Sequence, residues 1–235
     1  MKNFIRKIIS KFSKYSIIYE NSFDLIKTIN FHQIDLILDI GASQGSYAKM
    51  LRRFGYKKKI ISIEPVNFSY KKLLKFCEKD EKWSAKRLII SNQKKSKLTI
   101  NVSKDFDNSS ILNSTELHKK NHIDSEFIYK EDVECKSLDL LMSEYKNEKK
   151  NFMLKLDVQG SEADVIESGI NSLSKFKLVQ IELSLQKLYE NQILWRDIVK
   201  LMYEKNFEVW TIFPGYKQKN KGQLYQFDAI FFNKS

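Results

Sequence analysis

Short runs of branched apolar residues alternate along the chain with stretches whose apolar positions recur at helical spacing. The first run, 34–38, is apolar at nearly every position and β-prone, as a parallel strand buried on both faces requires. Strands are predicted over 34–40, 60–64, 87–91, 97–103, 152–158, 178–184, 207–213 and 225–233. Helices are predicted near 46–54, 68–79, 137–145, 162–173 and 191–205. Repeated strand–helix alternation predicts an α/β protein built on a doubly wound, mostly parallel sheet. The last two strands, joined by the lysine- and glycine-containing stretch 215–224, predict an antiparallel hairpin at one edge. Residues 104–130 are polar, lack periodicity and hold two of the three histidines, which marks them as an insertion or lid over an active site.

Ahead of the first strand, residues 1–19 place Phe4, Ile5, Ile8, Ile9 and Phe12 on one helical face and Lys2, Arg6, Lys7, Lys11 and Lys14 around the other. Such a helix packs on its own domain or lies on an anionic membrane surface. The expected organisation is an N-terminal helical segment, 1–31, and one domain, 32–235, with the insertion near 104–130. No apolar run reaches the length of a membrane span, and no cleavable leader is visible. Cys77 and Cys135 belong to no metal or disulfide pattern, which fits a reduced cytoplasm with at most peripheral membrane contact. The formal charge of +12 favours anionic partners, although it is spread over helices and loops as a lysine-rich composition alone would spread it.

The residues that follow the first strand carry the chemistry. Asp39 closes it, and Gly41 and Gly45 bracket a tight turn into the helix, a plan in which absent side chains let a ligand approach the backbone. A dinucleotide fingerprint needs G-x-G-x-x-G, yet Ser43 stands where the middle glycine would be. A carboxylate at the strand end repels a pyrophosphate and suits a cationic amino group, as in S-adenosylmethionine (SAM). The second strand ends in Glu64, 23 residues after Gly41, where an acid can accept both ribose hydroxyls.

Two later strands hold polar residues where packing alone would place apolar ones. Lys155, Asp157 and Gln159 share one face, as do Gln180, Glu182 and Ser184 on the next strand, and Asp228 on the last strand is placed to join them. A charge inside a central strand is costly unless paired, so these residues form either an ion-pair network or a site at the carboxyl ends of the sheet.

At these residues the chain resembles a known family. Lys155 to Glu162 reads K-L-D-V-Q-G-S-E, similar to the K-x-D-V-Q-G-x-E signature of FkbM-type SAM-dependent methyltransferases. The likeness extends through Asp39-Ile40-Gly41-Ala42-Ser43-Gln44-Gly45, Ile63-Glu64-Pro65, Ser91-Asn92, Ser109-Ser110-Ile111-Leu112 and Ser137-Leu138-Asp139. It continues in Gln180 to Leu185 with Tyr189 and in Gln226-Phe227-Asp228, so that about residues 35 to 232 are covered. Ser43 departs from the family's usual Asn, and 113–130 has no defined pattern.

The resemblance implies the seven-stranded, Rossmann-like class I methyltransferase fold and methyl transfer to a hydroxyl of a sugar or another small molecule. A nucleotide- or lipid-linked sugar of surface-polysaccharide synthesis is the expected acceptor, its phosphates met by Lys119, Lys120, Lys217, Lys219 and Lys221. It implies a SAM site of Asp39, Gly41, Ala42, Ser43, Gly45, Tyr47, Glu64, Pro65, Ser91, Asn92, Asp157 and Gln159, with Asn92 near the adenine. Asp157 and Glu182 are the base candidates, with Lys155 tuning them; Ser110, His118, His122 and Asp228 are the acceptor-side candidates. Asp157, Glu182 and Asp228 could instead hold Mg²⁺, although no metal motif is evident. A nucleic-acid methyltransferase would suit the charge, but D-V-Q-G stands where base-amino enzymes carry N/D-P-P-Y, and no stacking platform or arginine cluster appears. A non-catalytic SAM-binding module is the remaining alternative. Oligomeric state leaves no mark on the sequence.

Overall fold

The computed structural model describes residues 21–146, 151–218 and 221–235, so the amphipathic segment 1–19 and Lys219 lie outside the described residues. A helix over 21–31 (α1) leads into β1 (Leu36–Ile40), α2 (Ser46–Arg53), β2 (Lys59–Ile63), α3 (Asn67–Cys77) and β3 (Trp83–Lys86). Next come β4 (Ile89–Ile90), β5 (Lys97–Ser103), α4 (Glu116–Asn121), β6 (Phe127–Lys136) and α5 (Leu138–Ser143). The chain closes with β7 (Phe152–Leu156), α6 (Glu162–Glu167), β8 (Phe176–Ser184), α7 (Trp195–Glu204), β9 (Phe207–Pro214) and β10 (Gln226–Asn233).

Seven strands form the central sheet in the order β3-β2-β1-β7-β8-β10-β9. The pairs from β3 to β8 are parallel, and β10 runs antiparallel to both β8 and β9. This is the doubly wound sheet with an edge hairpin that the alternation predicts, and it is the Rossmann-like methyltransferase fold. Strand order reverses between β1 and β7, so the crevice beyond their carboxyl ends is where such a sheet takes a ligand.

Period-two alternation sorts the sheet residues onto two faces. Leu36, Leu38, Ile40, Leu154, Leu156, Val179 and Ile181 pack on one face with Leu138, Leu141, Val165, Ile198 and Met202 from α5, α6 and α7. Ile37, Ile60, Met153, Leu178 and Ile230 pack on the other with Leu25 and Ile29 of α1, Ala48 and Leu51 of α2, and Leu73 of α3.

Three expectations need correction. The third parallel strand of the central sheet is Trp83–Lys86, a four-residue edge element of mixed composition with no clear alternation, whereas 87–91 supplies only the two-residue β4. β4 belongs to a second, three-stranded sheet in the order β4-β6-β5. The insertion is shorter than 104–130, because β6 begins at Phe127 and pairs antiparallel with β5. Only Val133 and Cys135 of β6 are buried, so its apolar signal is diluted by the solvent-facing residues between them. The helix expected over 162–173 ends at Glu167, and the rest is a turn followed by a 3₁₀ turn, Leu173–Lys175.

Candidate functional site

The first wall is the turn between β1 and α2. Gly41 has φ +81°, and a Cβ there would sit 1.7 Å from the backbone oxygen of Asp157, so a side chain would force the β1 and β7 loops apart. Gly41 and Ala42 donate their N–H groups to the Ile63 carbonyl, which ties the turn to the end of β2. Glu64 follows that strand. It is buried, and its two carboxylate oxygens accept the Ser43 N–H at 2.7 Å and the Val66 N–H at 2.8 Å. Burial pushes its pKa up to about 8, against the opposing pull of the Val66 and Ser43 N–H groups. These residues open on a cavity of about 370 Å³, within the range for small-molecule sites.

A buried polar row crosses the α1–α3 face of the sheet one rung below the strand ends. Register places Asp39 beside Ser62 on one side and Lys155 on the other, and Lys155 beside Gln180. Trp83 Nε1 donates to Ser62 Oγ, and Ser62 Oγ donates to Asp39 at 3.3 Å. Lys155 Nζ lies 3.7 Å from Asp39 and 3.1 Å from Asp157, and stands over the Tyr47 ring. Tyr47 donates its hydroxyl proton to Gln180 Oε1, while Gln180 Nε2 donates to Asp228. Burial disfavours the Lys155 charge, but Asp157, Asp39 and Asp228 outweigh it and its pKa is raised. Burial raises the pKa of Asp39, with Lys155 opposing.

The reactive end lies beyond β7 and β8. Asp157 accepts from Lys155 Nζ on one oxygen and from Gln159 Nε2, at 2.7 Å, on the other. Glu182, on the adjacent strand, accepts from Gln226 Nε2 and lies 3.5 Å from Gln159 Nε2. Burial, then the neighbouring charges of Asp157, Asp228 and Glu162, raise its pKa well above the carboxylate range. Glu162, the last residue of the signature, faces away from the cavity. Its Oε1 accepts the Val158 and Gly160 N–H groups and so shapes the turn that presents Asp157 and Gln159.

The stretch 104–126 covers these carboxyl ends. Asp107 accepts the Ser43 hydroxyl, and Ser110 Oγ donates to the Gln159 carbonyl at 2.7 Å. His122 packs on Tyr216, from the β9–β10 loop, with ring centroids 4.2 Å apart, and the Tyr216 hydroxyl donates to the Asn121 carbonyl. His118 is buried against Tyr189, and its pKa is pushed down to about 4 by burial and by His122.

Of the residues singled out in the sequence, Gly41, Ala42, Ser43, Tyr47, Glu64, Pro65, Ser110, His122, Lys155, Asp157, Gln159 and Glu182 line the cavity. Six do not. Asp39 is wholly buried one rung below the strand end, against Lys155. A Cβ at Gly45 would meet Leu73 and Trp83, so this glycine serves helix packing. The Ser91 hydroxyl and the Asn92 N–H, where the chain leaves β4 for β5, both donate to Asp164 of α6. His118 lies behind Asn108. Because β10 is antiparallel, its first residue, Gln226, reaches the rim, and Asp228 sits a rung beneath, paired with Gln180. Asp107, Phe106 and Tyr216 also line the cavity and were not anticipated. Nothing local distinguishes them; the Ser43–Asp107 contact spans 64 positions of sequence.

The lining fits SAM. From β2 toward β10 it passes from the apolar side chains of Val66, Leu88, Ile89 and Phe106, suited to an adenine, through Glu64, suited to a ribose diol, to Asp157, suited to an ammonium group. Among the described residues no group of three or more His, Cys, Asp or Glu converges with metal-binding geometry. Asp157, Glu182 and Asp228 are instead each held by an amide or ammonium donor. Nor is any helix among these residues long and apolar enough to cross a membrane.

Comparison with known proteins adds independent findings. The model of the methyltransferase FkbM domain matches residues 39–209. The 2-O-methyltransferase NoeI of Sinorhizobium fredii is 42% identical over 59 residues, covering 25% of this chain and only 24% of the relative's length. Among solved structures, a putative O-methyltransferase from Klebsiella pneumoniae superposes with a TM-score of 0.50 at 11% identity, covering 91% of this chain and 80% of that one. Aeropyrum pernix fibrillarin with natively bound SAM gives 0.47 at 10% identity, covering 84% and 66%.

Proposed function

The chain belongs to the FkbM family of SAM-dependent methyltransferases, and on that premise we propose that it methylates a hydroxyl group of a sugar or similar small polyhydroxylated acceptor. When bound, SAM supplies a methyl group on a positively charged sulfur. Glu64 holds the ribose hydroxyls, the Val66–Ile89–Phe106 wall takes the base, and Asp157 with the Gly41 turn takes the amino-acid end. Lys155 and Gln159 fix the Asp157 carboxylate from both sides, so its position is set before any ligand arrives. Positioning of this kind supplies up to about 7–11 kcal/mol of a displacement barrier.

The observation that carries the reading is the placement of Glu182, a carboxyl group that lines the cavity beside Asp157 with the Gln159 amide between them. Burial raises its pKa, so that once ionised it is a good proton acceptor. It receives the acceptor's hydroxyl proton, a contribution of about 10²–10⁴-fold. The partial likeness to a 2-O-methyltransferase supports transfer to oxygen. Among the described residues the cavity is lined by the carboxyl groups of Glu64, Asp107, Asp157 and Glu182 and by one ammonium, that of Lys155. The acceptor's neutral ring therefore enters, and a polyanion such as RNA is disfavoured. A nucleotide- or lipid-linked sugar of surface-polysaccharide synthesis is the acceptor we favour, its phosphates remaining at the mouth beside Lys217, next to the cavity-lining Tyr216.

Incubation with SAM and a panel of nucleotide-linked sugars, free sugars and total RNA, followed by mass spectrometry, tests this. One added methyl on a sugar is expected, with Glu182→Gln slower by about 10²–10⁴-fold and lacking the rise of rate with pH that ionisation of Glu182 gives the wild type. Methylated RNA with untouched sugars overturns the reading.

A further inference from the structure

Tyr189 is wholly buried and touches both the lid and the reactive end. Its hydroxyl oxygen lies 2.7 Å from Gln159 Oε1 and 3.2 Å from the Asn108 carbonyl, so its one proton has two acceptors, one beside the carboxylates and one in the lid. The shorter contact takes the proton and dictates the amide's orientation. With Oε1 toward the phenol, Gln159 Nε2 faces Asp157 at 2.7 Å and Glu182 at 3.5 Å. Gln159 holds this pose from a left-handed backbone, φ +54°, that a non-glycine residue adopts only when its surroundings over-determine it. Gly160 leaves room for the Tyr189 ring, which a Cβ there would approach to 3.0 Å.

The backbone around Tyr189 is stitched to the lid as well. Thr115 N–H donates to the Leu188 carbonyl and Glu190 N–H to the Asn113 carbonyl, while Ser114 and Tyr189 form an isolated bridge. The His118 ring packs edge-on against the phenol at 4.8 Å, and its Nε2 lies 3.1 Å from Asn108 Oδ1.

We propose that Tyr189 is a positioning residue, whose hydroxyl locks the Gln159 amide between Asp157 and Glu182 and so couples the seating of the lid to the alignment of the two carboxylates. The proposal rests on the reading of those carboxylates as the reactive end of the site. Gln159 also serves as a donor to two like charges that would otherwise meet at adjacent strand ends. The other groups facing Glu182 are Lys155 and Asp157 of the β7 end, Asp228 of β10 and Glu162 of α6, with Gln226 as its second amide donor. The phenol therefore acts on Glu182 only through Gln159.

Tyr189→Phe removes the hydroxyl and keeps the ring, and its test needs no acceptor. In the full chain labelled with carboxyl-¹³C glutamate, the Glu182 resonance is assigned by its loss in Glu182→Gln. Its titration midpoint is expected to rise in Tyr189→Phe by about half a unit or more, since an amide donor to the ionised form is lost. Amide exchange at Thr115 and Glu190 is expected to quicken about tenfold, the equivalent of one hydrogen bond. A purely packing role would leave the titration unmoved. A wild-type titration overturns the proposal whatever the exchange, and wild-type exchange removes its coupling to the lid.

If Tyr189→Phe fails to fold, Gln159→Asn decides. Asparagine tolerates the left-handed backbone but is too short to bridge the carboxylates, so the same two changes are expected and their absence is decisive. Both measurements are made on the protein without acceptor. A failed sugar panel leaves them standing, and unmoved titrations reject the Tyr189 role even where a sugar is methylated.

Discussion

The two faces of the central sheet share strands and backbone hydrogen bonds yet are built differently. On the α5–α7 face the side chains stay apolar to the strand ends, through Ile40, Ile63, Leu156 and Leu183. On the α1–α3 face they begin apolar, at Ile37, Ile60, Met153 and Leu178, and turn polar one rung higher, at Ser62, Asp39, Lys155 and Gln180. The first face makes stability. The second gives up apolar contact in its upper layer, and the buried charges placed there hold Asp157 at the cavity.

The largest effect should come from breaking the polar layer on one side only. Lys155→Met leaves Asp39 buried without its counter-charge and is expected to cost about 3–5 kcal/mol, as much as Leu154→Ala on the opposite face at about 2–5 kcal/mol. The faces part company in the double variant. Asp39→Leu with Lys155→Met replaces the pair by apolar groups and should recover most of the stability, as measured by urea unfolding, without recovering turnover. A double variant as unstable as the single one would mean that the polar layer is structural.

Gly41→Ala tests where the second face meets the ligand. Alanine at φ +81° carries about 1–3 kcal/mol of backbone strain, and its Cβ collides with the Asp157 carbonyl. Calorimetry should show loss of SAM binding in a protein that still unfolds cooperatively. Retained binding would show that the β1 and β7 loops can separate without harm.

Glu64→Gln is a milder change and should weaken SAM binding by about 1–3 kcal/mol, the range for a hydrogen bond to a charged group. The pH dependence sharpens it. Burial raises the Glu64 pKa to about 8, so the fold favours the protonated form, and the stability this contributes is lost as pH rises through that value. Ribose hydroxyls favour the ionised form. SAM affinity should therefore tighten with rising pH up to about 8 and level off above it, with proton release on binding below it. Binding heats that do not vary among buffers of different ionisation enthalpy would remove this assignment.

The smallest effect concerns the rim. Lys119 pairs with Glu116 in solvent, so Lys119→Ala should leave KM within the scatter of surface substitutions, about 0.5 kcal/mol or less. Lys217→Ala should raise KM for a nucleotide-linked sugar and leave a free sugar unaffected; equal effects on the two would place the phosphates elsewhere.

Much of this molecule is legible in the sequence alone. The β1–glycine turn–α2 unit, the acid ending β2 and the polar strand ends of β7 and β8 depend on neighbours in sequence, whose spacing reports strand, turn and face directly. The mostly parallel sheet with its antiparallel edge hairpin follows from the same alternation. Tertiary structure decided which of those polar residues meet the cavity. Asp39 and Glu64 both lie at strand ends, but Asp39 is a rung lower and faces Lys155, whereas Glu64 has left the strand. Asp228 and Gln226 exchange places because β10 runs backwards, and Asn92 turns toward Asp164 because β4 joins the smaller sheet. Asp107 and Tyr216 come from loops without periodicity and reach the site across long stretches of sequence. Their places depend on register, strand direction and loop closure, which are set by the packing of distant segments and leave no local pattern to read.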